Sequence, residues 1–166
     1  MIRFKTICII AALVFANTTS AQQADEGQVT GLLIPRFVSM KSSSANVRRG
    51  PSISNRVDWV LRHRGTPLIV LAEYQDWFRV EDVDGEGGWV HTKLLSPRRT
   101  VLVQEELLPL RETPSSSARK LARLEAGVVL RLGACQPGWC EATVEGVTGW
   151  LPKTGIWGVL PAEVFE

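Results

Sequence analysis

Between residues 44 and 96 apolar and polar residues alternate in short runs, each broken by glycine, proline or a polar cluster. In "WFRVEDV" (77–83) Trp77, Arg79 and Glu81 share one face of an extended chain and Phe78 and Val80 the other, the period of a half-buried strand. "ANVRR", "VDWVLRH", "PLIVLAEY" and "WVHTKLL" also read as strands, separated by a Gly-Pro-Ser loop at 50–52, a turn at Gly65 and the turn "DGEGG". Five short strands in about 60 residues cannot cover two faces of an open sheet. Curling them into a small barrel buries one face and removes most free edges.

The pattern then recurs. "VRRGPSISNR" (47–56) aligns with "LRETPSSSAR" (110–119), setting Arg48 on Arg111, Pro51 on Pro114 and Arg56 on Arg119. Further on, Gly65 falls on Gly127, Trp77 on Trp139, and Gly88-Trp89 on Gly149-Trp150. The expected fold is all-β: two tandem small barrels over residues 36–97 and 100–160, joined near "LLSPRRTVLV".

Upstream, Arg3 and Lys5 precede an apolar run from Ile7 to Phe15 and a small-residue region ending near Ala21. Residues 1–21 read as a cleaved secretory signal peptide. The run is shorter than the roughly 20 apolar residues a bilayer span needs, and no second one follows, so membrane insertion is not expected. The mature protein is expected to be periplasmic or secreted. Losing Arg3 and Lys5 leaves 17 basic against 17 acidic residues, so the formal charge of +2 falls to about zero and no general attraction to nucleic acid is expected. The charge is uneven, however. Residues 35–65 carry seven Arg or Lys against Asp58 alone, whereas 73–86 carry six acidic residues against Arg79. These segments are either solvated loops on opposite sides or, for the first, a basic face for an anionic ligand.

With Cys8 discarded in the signal, Cys135 and Cys140 of "CQPGWC" remain. A thioredoxin-like pair has two intervening residues and a helix start, where this stretch has four and a Pro137-Gly138 turn. A zinc site needs four ligands, and His63 and His91 have no partner at ligand spacing. In an oxidising compartment the pair reads as a disulfide, and no metal or cofactor is expected. "CQPGWC" aligns with "EYQDWF" (73–78), a corner the first unit forms without thiols, so the bond would staple one hairpin.

"N-V-R-x-G-P-S", "G-T-P-L-x-V", "W-F-R-V" and "G-x-x-G-W-V-H-x-x-L-L" together resemble the bacterial SH3 (SH3b) domain, and the tandem ending in "GWLPKTGIWGV" resembles secreted SH3-like proteins of proteobacteria. The resemblance covers about residues 36–158 and is weaker in the second unit, where Thr113 replaces the glycine of "R-x-G-P". It implies binding to a cell-wall peptide or an envelope protein. Catalysis is not expected. A hydrolase of the kind fused to such domains would need a nucleophilic cysteine with a histidine base. The serine runs 42–44 and 115–117 have no histidine nearby in sequence, and Glu81, Asp82 and Asp84 belong to a hairpin turn.

The candidate ligand groove is lined by Tyr74, Trp77 and Trp89 with Arg48 and Arg49 nearby, since aromatic rings supply contact area at little entropic cost and a guanidinium grips a carboxylate with two parallel bonds. The tryptophans and Arg48 have structural alternatives. Trp89 and Trp150 start strands and suit core or rim packing, and Arg48 and Arg111 suit bonds to loop carbonyls. Trp59 and Trp157, without repeat partners, are expected in the core or between units. Glu112 stands where the first unit has Arg49, so an anion would favour the first unit. The resulting reading is a non-catalytic cell-envelope module that recognises a peptidoglycan peptide or an extended protein segment. The alternative is a scaffold or regulator of another envelope protein.

Overall fold

The computed structural model describes residues 25–166; the expected signal peptide and Cys8 lie outside them. A two-stranded ribbon, β1 (Asp25–Glu26) and β2 (Leu33–Ile34), precedes two seven-stranded antiparallel sheets. The first contains β3 (Arg36–Met40), β4 (Ser44–Arg48), β5 (Val57–Arg62), β6 (Pro67–Tyr74), β7 (Trp77–Glu81), β8 (Gly87–His91) and β9 (Leu95–Ser96), in the order β5-β4-β8-β7-β6-β3-β9. The second contains β10 (Thr100–Val103), β11 (Leu108–Arg111), β12 (Lys120–Leu124), β13 (Val129–Gln136), β14 (Trp139–Val144), β15 (Val147–Pro152) and β16 (Ile156–Trp157), in the equivalent order β12-β11-β15-β14-β13-β10-β16.

Two differences from the sequence reading are physical. "WVHTKLL" is two strands, because a 3-10 turn at Thr92–Leu94 separates β8 from β9. Neither sheet closes into the expected barrel: β5 and β12 end one edge, and the two-residue β9 and β16 end the other. The sheets bend instead at bulges between Val70 and Ala72 and between Leu132 and Cys135, and short edge strands limit the unpaired backbone.

Alternation decides what enters each core. Phe78 and Val80 join Val38, Met40, Val47, Leu68, Val70 and Val90 in the first cluster, while Arg79 between them is exposed. Val101, Leu108, Leu110, Leu130, Cys140 and Leu151 anchor the second. The repeated Gly-Trp has a steric cause. Arg48 pairs with Trp89 and Arg111 with Trp150, and a Cβ on Gly88 or Gly149 would come within 2.8 Å or 2.6 Å of the Arg48 or Arg111 carbonyl oxygen. Only glycine lets the strands approach this closely.

Each unit also holds a terminal segment at the same corner. In the first, Glu73 accepts from the Val29 and Thr30 amides at 3.0 and 2.8 Å and from the Thr30 hydroxyl at 2.6 Å, and it pairs with Arg36 at 2.6 Å. In the second, Cys135, aligned with Glu73, pairs through its backbone with Phe165, and Arg99 grips Glu163 at 2.7 Å. The units touch as well. The Thr100 hydroxyl donates to the Gly65 carbonyl at 2.6 Å, and Trp157 meets Phe37 edge-on at 4.9 Å between ring centroids. Trp157 therefore sits between the units, whereas Trp59 is on the surface, contrary to its expected burial. It lies on edge strand β5, which has no neighbour on its outer side.

Candidate functional site

The outward face of β4, β8 and β7 brings together several residues singled out in the sequence. Register sets Arg48 beside Trp89, Trp89 beside Arg79, and Trp77 beside His91, all opposite in parity to the core residues. Two shallow hollows lie on this face. One, of about 290 Å³ and largely apolar, is lined by Asn46, Arg48, Ile53, Trp77, His91, Lys93 and Leu94. The other, of about 390 Å³ and mostly polar, is lined by Arg48, Arg49, Asp58, Arg79, Gly87, Gly88 and Trp89.

Arg48 is common to both. One of its Nη atoms donates to the Asn55 carbonyl at 2.6 Å, which fixes the β4–β5 loop against the strand. Arg111 makes the same bond to Ala118 at 2.8 Å. The structural account of the repeated arginine is thus correct, and it does not exhaust a group with five donors. The loops match in detail: Ser52 and Ser54 hydroxyls pair at 2.9 Å, and Ser115 and Ser117 at 3.0 Å. Two serines of the 115–117 run therefore support a turn.

Arg49 lies with Arg56 around Asp58, at 3.3 and 2.6 Å. The hydrogen bond from Arg56 foremost, opposed by partial desolvation and aided by Arg49, holds the Asp58 carboxyl below the usual carboxylate range. Two cations on one carboxylate leave this rim with net positive charge. In the second unit Glu112 replaces Arg49 and pairs with Arg119 at 2.9 Å, so the equivalent rim is neutral.

Trp77 is 8% exposed and tilts against His91 at 5.1 Å between ring centroids. It forms a wall of the hollow and offers no open stacking platform. Tyr74 lies across from Trp77 in the β6–β7 register, 49% exposed, and lines neither hollow. The five residues expected in one groove are therefore divided: Trp77 in one hollow, Arg49 and Trp89 in the other, Arg48 in both, Tyr74 at the rim.

Residues not singled out as ligand contacts complete the site. His91 Nδ1 accepts from the Lys93 amide at 3.2 Å, which in the neutral ring places the proton on Nε2. Ile53 stands 77% exposed in a polar loop. One apolar residue in "PSISN", where the second unit reads "PSSSA", was the available signal. At the positions of Asn46, Ile53, His91, Lys93 and Leu94 the second unit has Pro109, Ser116, Pro152, Thr154 and Gly155, so this donor set belongs to the first unit. Cys135 and Cys140 are cross-strand partners joined as a disulfide.

The model of the bacterial SH3 domain matches this chain twice, at residues 41–97 and 104–158. The chain belongs to the bacterial SH3 domain family. A curated relative, the putative N-acetylmuramoyl-L-alanine amidase YrvJ of Bacillus subtilis (strain 168), is 23% identical over 156 residues, covering 87% of this chain. The two SH3b units with their flanks span 28% of that protein's length. Among solved structures, NlpC2 from Trichomonas vaginalis is similar at 11% identity over 74% of this chain and 48% of that chain, with a TM-score of 0.35. An NlpC/P60 family protein from Bacillus cereus ATCC 10987 is similar at 16% identity over 73% and 55%, with a TM-score of 0.33.

Proposed function

We propose that this protein is a non-catalytic binding module of the cell envelope, exported by the signal peptide read in residues 1–21, whose first SH3b unit holds a carboxylate-bearing peptidoglycan peptide. The supporting observation is the asymmetry of the repeat: Trp77 and Arg48 of the apolar hollow recur as Trp139 and Arg111, but Ile53, Asn46, His91 and Lys93, which complete it, are replaced by Ser116, Pro109, Pro152 and Thr154 in the second unit. A pocket with an apolar floor and a few convergent donors suits a short peptide, whose aliphatic stem fills the floor while its carboxylate meets Arg48 or Lys93. The disulfide fits an extracytoplasmic location, and the likeness to a putative N-acetylmuramoyl-L-alanine amidase agrees with an envelope ligand.

The test is co-sedimentation with isolated peptidoglycan at low and moderate salt. Ile53→Ser and Lys93→Thr, which install second-unit residues at exposed positions, are expected to weaken binding at least about fivefold together, with Trp77→Ala as the stronger variant. Wall binding absent at both salts would defeat the reading. The packing of the units through Thr100 and Trp157 favours one further reading, a rigid scaffold for another envelope protein. That reading predicts a partner recovered on the immobilised protein and no affinity for the wall.

A further inference from the structure

A second cleft lies at the junction of the two units. Lys41 follows β3, Arg64 lies in the β5–β6 turn, Arg98 in the linker and Arg131 on β13, and all four side chains are exposed around one cleft of about 490 Å³. The cleft also contains Arg99, whose charge is met by Glu163, and Thr100, whose hydroxyl ties the units together. No aspartate or glutamate lines it, and among the described residues none of the four cations has a carboxylate partner within salt-bridge distance.

This arrangement needs a cause. The mature chain has balanced charge, yet four unpaired cations from four separate segments line one concavity, where a bound anion would offset their mutual repulsion. The concave wall concentrates the field, and three guanidiniums present planar forks suited to phosphate oxygens. A single carboxylate would neutralise one charge of four, whereas linked phosphates match the density. We infer that the cleft between the SH3b units binds a multivalent phosphate-bearing anion, separately from the hollow on the first unit.

The experiment is calorimetric titration of the full-length mature protein with pyrophosphate, beside flotation with phosphatidylglycerol vesicles. Saturable one-to-one binding of pyrophosphate is expected, weakened about tenfold or more in the Arg64→Ser, Arg131→Ser double variant. The control, Arg62→Ser with Arg123→Ser, removes the same charge at exposed positions outside the cleft and is expected to change affinity less than about twofold. Pyrophosphate binding without flotation identifies a soluble phosphate source; flotation that pyrophosphate reverses identifies a lipid headgroup. The proposal is overturned by no saturable binding of either probe, by equal losses in both double variants, or by citrate binding as tightly as pyrophosphate.

Discussion

Glu73 is a buried carboxylate whose bonds reach across the chain. Burial alone would raise its pKa; the Thr30 hydroxyl, the Thr30 and Val29 amides and Arg36 outweigh that effect and hold it below the ordinary glutamate range. Glu163 shows the same balance, with burial opposed by Arg99, the Leu160 amide and Lys153. Because both folded pKa values are depressed, the stability they contribute is complete above the unfolded value and is lost as pH falls through the folded one. Stability should therefore stay level from neutral pH down to the ordinary glutamate range and then decline. Glu73→Gln should cost about 2 kcal/mol at pH 7 and flatten the acid limb, as read by urea unfolding across pH. An acid limb identical to wild type would show that Glu73 does not carry it. At this scale the sequence was partly legible. Arg48 and Arg111 announced themselves by recurring, whereas Glu73 gave no local sign because its Thr30 partner stands 43 residues away.

The β6–β7 and β13–β14 corners solve one problem by different means. In the second, Pro137 presets the turn and Gly138 takes a φ of 79°, with the disulfide closing the strands behind it. In the first, Gln75 adopts a φ of 48°, a region unfavourable to residues with a Cβ. Gln75→Gly should raise stability by about 1 kcal/mol, measured as a shift in urea midpoint at unchanged slope. Replacing both Cys135 and Cys140 by alanine should cost about 2 kcal/mol, the loop entropy of so short a ring, and leave the fold intact by far-ultraviolet circular dichroism. A loss several times larger would mean that the disulfide also secures the tail at Phe165. These corners were readable because strand period, turn chemistry and the aligned "EYQDWF" and "CQPGWC" agree. The bulges were not, since each inserts a residue that flips the buried parity, from Leu68 and Val70 to Glu73 and from Leu130 to Cys135, and so reads along the chain as a break in the alternation.

At the scale of the molecule, the repeat made two units visible but was silent on their arrangement. Two residues that join the units stand where the repeat breaks: Trp157 has no counterpart in the first unit, and Thr100 replaces Phe37 in the alignment of first strands. Their contribution can be compared with what independence would require. The edge-on pair of Phe37 and Trp157 is worth about 1 kcal/mol beyond its burial, and the Thr100–Gly65 bond about as much again. Together these bias the equilibrium between coupled and separate unfolding some thirtyfold, at 1.4 kcal/mol per factor of ten. The wild-type protein is therefore expected to melt in one calorimetric transition. Trp157→Ala combined with Thr100→Val should split it into two while each sheet keeps its core. Two transitions already present in the wild type would mean that the cleft between the units changes shape as they move, and a ligand bridging Arg64 and Arg131 would then have to restore the single transition.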